Sequence, residues 1–289
     1  MTVNKQDGLQ LVGASGRKFS FDLRSKQDTA ASKPLVIFLH GFKGFKDWGN
    51  WNTMADQFAA HGFCFVKFNF SHNGISDHDL ISFSDLEAFG QNNFSKELMD
   101  LQILIDHLKL NSELRNIFCY NPDEIYLIGH SRGGPIALIT ALERDEVKKA
   151  ITWASVHELN YSWEKDPEKL SNWEKEGVVY ILNGRTKQNM PLYFQLYEDY
   201  LQNSVRFNIQ KTLARLQKPV LFIHGSADPA VPLDALYYLA KNSQQGSSCI
   251  IEEANHVFGA KHPAVGNELS DHEQELLKES ISFLKDSVL

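Results

Sequence analysis

The chain has 289 residues, of which 43% are hydrophobic and 22% are charged, and its formal net charge is −7. These values are typical of a soluble globular protein with a substantial core. The negative balance disfavours a nucleic-acid partner, because phosphate recognition needs a basic surface. No apolar run approaches the length of a membrane-spanning helix, and the first residues lack the apolar core of a signal peptide, so we expect no membrane association.

The three cysteines occur singly, at positions 64, 119 and 249, and none belongs to a Cys-x-x-Cys pair. Such usage fits a reducing compartment better than a disulfide-bonded secreted protein. We therefore expect a cytoplasmic protein.

Strand and helix patterns alternate along the chain, which predicts an α/β fold with a mostly parallel, twisted sheet and helices on both faces. The predicted strands are Leu9–Val12, Lys18–Arg24, Pro34–His40, Gly62–Phe70, Ile125–Ile128, Lys149–Ala154, Pro219–His224 and Ser248–Glu252. The first two form a predicted antiparallel pair. The predicted helices are Trp51–Ala60, Phe94–Leu110, one that begins near Gly134, Leu233–Ala240 and Asp271–Lys285. The polar stretch Ser71–Asn93 lacks apolar periodicity and is predicted to lie outside the core.

One segment, residues 156–216, is much longer than a single crossover between two strands needs. Inside it, Val178–Met190 has the pattern of a β-hairpin, with Asn183-Gly184 as the two-residue type I′ turn that hairpins prefer. An aromatic run follows, from Tyr193 to Tyr200. We interpret the segment as a cap over the edge of the sheet within one domain of residues 1–289. Its aromatic side chains either wall the substrate pocket or only attach the cap to the body.

The stretch Gly129-His130-Ser131-Arg132-Gly133 has the pattern Gly-x-Ser-x-Gly between an apolar strand and an apolar helix. This context is that of a nucleophile elbow, where a serine stands on a strained turn. Side chains two residues before and after the serine would collide, and glycine avoids the collision. Because the pattern is short and also occurs by chance, its weight depends on the residues downstream.

A serine nucleophile needs a base that is itself held by an acid, and in this order both follow the serine in sequence. Asp228 comes after the strand Pro219–His224 and is the acid candidate, although an aspartate before Pro229 is also a common start of a turn. His256 follows the last strand and is the base candidate, with His262 and His272 as competitors. The remaining histidines at strand ends are interpreted as turn residues: His40, His130 and His224.

A tetrahedral intermediate needs two backbone N–H donors. One is expected from Arg132, which follows the nucleophile. The other is expected from Phe42, with Lys43 as the alternative, in the glycine-rich loop after the strand that ends at His40.

Together, His40-Gly41, Gly129-x-Ser131-x-Gly133, Asp228 and His256 resemble the α/β-hydrolase family over nearly the whole chain. Within that family the sequence is similar to dienelactone-hydrolase-like hydrolases and to cinnamoyl and feruloyl esterases, which act on aromatic-acid esters. The family's dienelactone hydrolases use cysteine where this chain has Ser131, so that activity is not implied.

The residues and the resemblance predict a serine hydrolase that cleaves a small carboxylic ester without a metal or cofactor. A thioesterase, a lactonase and a small-peptide hydrolase stay open, because the same triad serves all of them. A non-catalytic binding module of this fold also stays open. The oligomeric state is not predicted.

Overall fold

A computed structural model describes this chain over the residue ranges 2–27, 32–76, 79, 82–160 and 163–286. In chain order its strands are β1 Val3–Val12, β2 Lys18–Lys26, β3 Lys33–Leu39, β4 Cys64–Phe68, β5 Tyr120–His130, β6 Val147–Trp153, β7 Val178–Leu182, β8 Asn189–Tyr193, β9 Val220–Gly225 and β10 Gly246–Ile251. Its α-helices are α1 Trp51–Ala60, α2 Leu86–Gly90, α3 Phe94–Leu110, α4 Ser112–Phe118, α5 Gly133–Glu143, α6 Pro167–Glu176, α7 Gln195–Gln202, α8 Ile209–Arg215, α9 Asp234–Asn242 and α10 Asp271–Lys285.

The main sheet has the strand order β1-β2-β4-β3-β5-β6-β9-β10. The six strands from β4 to β10 in this order pair in parallel, whereas β2 is antiparallel to both of its neighbours. Parallel strands place their carboxyl ends on one edge, which is where ligands bind in open α/β sheets. The predicted α/β class and the antiparallel opening pair are confirmed.

The central strand β3 shows why its sequence is continuously apolar. Leu35, Ile37 and Leu39 point to the core beneath α3 and α5, whereas Val36 and Phe38 point to the core beneath α1 and α10. A parallel strand covered on both faces needs apolar residues at every position. The predicted bounds of three helices are also confirmed: Trp51–Ala60, Phe94–Leu110 and Asp271–Lys285.

The prediction that Ser71–Asn93 lies outside the core is wrong. Phe83 and Phe89 are buried and form a small cluster with Phe45 and Met190. The sequence did not indicate this burial, because these apolar residues pack singly against a loop and a hairpin. Such contacts impose no helical or strand period on the sequence.

The predicted hairpin exists, but its predicted turn is wrong. β7 pairs with β8 in antiparallel fashion, and the last partners are Leu182 and Asn189, so six residues separate the strands. The side chain of Asn183 accepts the N–H of Arg185 at 3.0 Å, which folds the chain locally. Asn183 and Gly184 lack the positive φ that a type I′ turn requires, and Lys187, with φ of 60°, takes the left-handed position instead.

The hairpin is attached to the segment that precedes α3. Gln188 accepts the N–H of Phe83 at 3.4 Å and donates to its carbonyl at 2.8 Å. Further along, Gln195 donates to the carbonyl of Asn92 at 2.8 Å. Through these bonds the hairpin and the first residue of α7 rest on Phe83 and Asn92, which lie between β4 and α3.

A buried ring of alternating charges anchors the loop between β3 and α1. Lys46 donates to Asp22 at 2.8 Å and also contacts Asp47, and Lys67 of β4 bonds to the same two carboxylates. Burial alone would raise the pKa of Asp22, but Lys67 and Lys46 hold it below its usual value. Each charge in the ring has an opposite partner, which is the condition for burying it.

We predict that Lys67→Met lowers the free energy of unfolding by about 3–5 kcal/mol, because it leaves two buried carboxylates with one cation. Urea denaturation at neutral pH measures this loss. The matched control is Lys5→Met, which breaks an exposed pair with Asp56 and should cost at most about 1 kcal/mol. Equal, small losses in the two variants would contradict the role of the ring.

Candidate active site

Ser131 stands on a sharp turn between β5 and α5. Its φ is 53°, in the left-handed region that a serine rarely adopts. Its N–H donates to the carbonyl of Trp153 on β6 at 2.8 Å, and its own carbonyl accepts the N–H of Gly134 at 3.0 Å. These two bonds fix the serine at the carboxyl end of the central strands.

The glycines around Ser131 are required by close backbone contacts. A Cβ on Gly129 would lie 2.2 Å from the carbonyl oxygen of Gly133, and one on Gly133 would lie 2.5 Å from that of Leu39. Both distances are far below any real contact. A side chain at position 129 would therefore collide with the backbone of position 133, as predicted, whereas one at position 133 would collide with the end of β3.

Asp228 and His256 meet at the same edge of the sheet. Nδ1 of His256 lies 2.7 Å from Oδ2 of Asp228, whose side chain is fully buried. Oδ1 of Asp228 accepts the N–H groups of Ala230 at 2.7 Å and Val231 at 3.0 Å. Burial would raise the pKa of Asp228, but the hydrogen bonds from His224, His256 and Val231 hold it well below the usual range. The carboxyl group is thus ionised and fixed toward the imidazole.

His224, interpreted from sequence as a turn residue, also faces this carboxylate. Its Nε2 lies 3.3 Å from Oδ2 of Asp228 and 3.0 Å from the carbonyl of Val231. It therefore helps to hold the loop that carries Asp228. The sequence showed that His224 ends the strand before Asp228, but it did not show that the His224 side chain points toward that carboxylate.

His130 connects the elbow to the His256 loop. Its Nε2 lies 2.9 Å from the carbonyl oxygen of His256, and the two rings are 4.9 Å apart. Burial lowers the pKa of His130 to about 3, so the ring is neutral and Nε2–H donates. Within the described ranges, no hydrogen bond joins the Ser131 hydroxyl to His256 itself; bonds of this kind often tighten only when substrate is present.

The loop after β3 passes directly beside Ser131. A Cβ on Gly41 would lie 2.8 Å from Cβ of Ser131, so only glycine allows this approach. The loop turns through a bond from Gly44 N–H to the carbonyl of Gly41 at 3.0 Å. Among the described residues, no protein acceptor takes the N–H of Phe42.

Arg132 has a role that the sequence did not reveal. Its guanidinium forms a buried ion pair with Glu97 of α3 and lies 4.6 Å from the centre of the Phe42 ring. Glu97 also accepts the side-chain N–H of Asn92 at 2.8 Å. The Arg132 side chain therefore links the turn at Ser131 to the loop that carries Phe42.

A small cavity of about 130 Å³ opens beside these groups. It is lined by residues 40–44, Trp48, Trp51, His130 and the pair His256-Val257. None of the described residues in the segment 156–216 lines this cavity. The aromatic side chains of the cap pack on one another instead, for example Trp163 on Trp173 at 5.4 Å and Phe194 on Trp173 at 5.4 Å. For this cavity, the structure favours the interpretation that these aromatic side chains attach the segment to the body over the interpretation that they wall the pocket.

The competing histidine His262 makes other contacts. Its Nδ1 accepts the N–H of Gly49 at 2.9 Å, and its ring stacks on Trp48.

In the part of the chain that the structure describes, no group of three histidine, cysteine or acidic side chains has the arrangement of a metal site. Across the same residues, no helix is both long and apolar enough to cross a membrane.

A family model described as alpha/beta hydrolase fold matches residues 34–180, which is just over half of the chain. The chain belongs to the α/β-hydrolase family. The resemblance predicted from the four sequence motifs and the predicted fold class are both confirmed.

Individual relatives agree with this placement. A Mycoplasma pneumoniae protein described as a candidate esterase/lipase is 24% identical over 240 residues, covering 76% of this chain and 81% of the relative. The structure of Est1E from Butyrivibrio proteoclasticus with ferulic acid bound matches with a TM-score of 0.67 at 20% identity, over 95% of this chain and 96% of that one. A candidate dienelactone hydrolase from Klebsiella pneumoniae matches with a TM-score of 0.63 at 11% identity, over 99% and 100% of the two chains. At these identities the structural likeness shows a shared fold.

We predict that Asp228→Asn lowers kcat for hydrolysis of para-nitrophenyl acetate by about ten-thousandfold, because an amide favours the wrong tautomer of His256. The thermal midpoint of unfolding should stay close to that of the wild type, so that unfolding does not account for the loss of activity. Asp234→Asn is the control, since Asp234 begins α9 and contributes only a helix-dipole effect of about 0.3–1 kcal/mol. If Asp234→Asn lost activity while Asp228→Asn kept it, the assignment of Asp228 as the acid would be wrong.

Proposed function

We propose that this protein is a serine hydrolase of carboxylic esters, in which Ser131, His256 and Asp228 form the catalytic triad. The observation that carries the proposal is the 2.7 Å contact between His256 and a buried, ionised Asp228, beside a serine held in left-handed backbone. A carboxylate in this position fixes the tautomer in which Nε2 is free to accept a proton.

The proposed reaction follows from the roles of these groups. His256 takes the proton of Ser131 as its oxygen attacks the ester carbonyl, and then gives that proton to the leaving alcohol. Water attacks the acyl-enzyme with His256 again as the base. Asp228 stabilises the imidazolium in both steps and stays ionised, in keeping with its lowered pKa.

The negative oxygen of the intermediate requires donors that are already in place. We assign the N–H groups of Phe42 and Arg132 to this role. Support comes from the close approach of Gly41 to Ser131 and from the Arg132 guanidinium, which lies against the Phe42 ring. Loss of one such donor typically costs about a hundred- to a thousandfold in kcat.

The size of the cavity bears on the substrate. Its volume of about 130 Å³ is well below the roughly 300–1,000 Å³ of pockets that enclose drug-sized ligands. A short acyl or alcohol group fits it better than a bulky aromatic acid. We therefore propose small esters as the preferred substrates, in contrast to the ferulic acid that Est1E binds.

We predict that a fluorophosphonate labels Ser131 stoichiometrically, and that Ser131→Ala abolishes both labelling and nearly all ester turnover, a loss on the order of a millionfold. Intact-mass spectrometry and peptide mapping give the site. The matched control is Ser226→Ala, because Ser226 accepts the N–H of Glu253 at 2.8 Å on a nearby loop and should leave labelling intact. A label on Ser226 or Ser155 would overturn the assignment of the nucleophile.

A further inference from the structure

Lys43 lines the cavity beside the proposed active site, and its side chain has no role in the proposed reaction. It follows Phe42 in the loop beside Ser131, has φ of 58° and lines the same cavity as His256. Its ammonium is 5.7 Å from the centre of the Phe42 ring. The left-handed backbone places a long cationic side chain, and not the usual glycine, at this point of the turn.

The charges around the cavity are otherwise satisfied. Arg132 is paired with Glu97, and Lys46, three residues after Lys43, is paired with Asp22 and Asp47. Within the described ranges, the ammonium of Lys43 makes no ion pair and no hydrogen bond. Partial burial lowers the pKa of Lys43, which reflects the cost of keeping this cation away from water.

Among the described residues, those that line the cavity include no carboxylate that would compete for this cation. Two of the histidines there, His40 and His130, are neutral, since burial lowers the pKa of His40 to about 4 and that of His130 to about 3. The chain as a whole carries a net charge of −7. Among the described residues that line the cavity, Lys43 is the one lysine or arginine, so its unpaired ammonium in a partly desolvated cleft gives the cavity a local attraction for anions.

We propose that Lys43 is a specificity residue that selects small esters carrying a carboxylate group. This inference rests on the proposed esterase function and names its substrate class. The substrate carboxylate pairs with the Lys43 ammonium in the cavity, while the ester carbonyl meets Ser131 and the backbone donors. A charge-assisted hydrogen bond of this kind is worth more than a neutral one and weakens with salt.

The test compares anionic esters with neutral esters of similar size. One pair, monomethyl succinate and methyl pentanoate, places the charge on the acyl part, and its hydrolysis is monitored by the release of protons. The other places it on the alcohol part: para-acetoxybenzoate and para-acetoxybenzamide, followed by absorbance. For each pair the quantity is the ratio of kcat/KM for the anionic ester to that for the neutral ester, so that a general loss of activity cancels.

In at least one pair, Lys43→Met should lower this ratio about tenfold or more, the size expected for loss of a hydrogen bond to a charged group. Lys43→Arg should restore most of it, and added NaCl should lower the ratio in the wild type but not in Lys43→Met. Lys211→Met is the matched control, since Lys211 is an exposed lysine on α8, and it should leave both ratios unchanged.

Ratios that agree within twofold between the wild type and Lys43→Met in both pairs would overturn the proposal. Fluorophosphonate labelling separates this outcome from failure of the esterase function. If Ser131 is labelled and the neutral esters are hydrolysed, the function stands and only the role of Lys43 falls. If neither occurs, the esterase function itself fails.

Discussion

The left-handed backbone of Ser131 is the constraint on which the rest of the proposed site depends. A non-glycine residue in this region costs on the order of 1–3 kcal/mol and persists only where its surroundings hold it. Here the hydrogen bond to Trp153 and the close backbone contacts at Gly129 and Gly133 hold Ser131 in this conformation. The turn therefore presents the serine at the carboxyl edge of β5. The loops after β9 and β10 bring Asp228 and His256 to that same edge, because parallel strands all end there.

The loop between β3 and α1 is held at both ends by buried charges. At its beginning, the Arg132–Glu97 pair lies against the Phe42 ring; at its end, Lys46 and Asp47 belong to the ring of charges with Asp22 and Lys67. Buried pairs of this kind add little net stability but are expensive to break one partner at a time. Their effect here is to fix the glycine-rich loop that carries the proposed oxyanion donor Phe42, and such a donor must be in place before the reaction begins. Lys43, between the two anchors, keeps its charge available to a ligand.

The sequence predicted those parts of the structure that follow from periodicity and from strict steric rules. The apolar run of β3 and the bounds of α3 reflect burial on repeating faces, and the glycines around Ser131 reflect collisions that no other residue avoids. Contacts between distant segments left no such pattern. The burial of Phe83 and the pairing of Arg132 with Glu97 depend on which loops meet in space, and a short sequence window does not record that. The hairpin turn was mispredicted for a related reason: Asn183 uses its side chain to fold a longer loop, and Asn-Gly alone does not distinguish this from a two-residue turn.

The central claim is that an acyl group passes through Ser131, and acid quenching during steady-state turnover of para-nitrophenyl acetate tests it most directly. Peptide mapping by mass spectrometry then locates any covalent acetyl group. The account predicts acetylation confined to the peptide that contains Ser131, and its disappearance in Ser131→Ala. An acetyl group on another residue, or full turnover by Ser131→Ala, would contradict it.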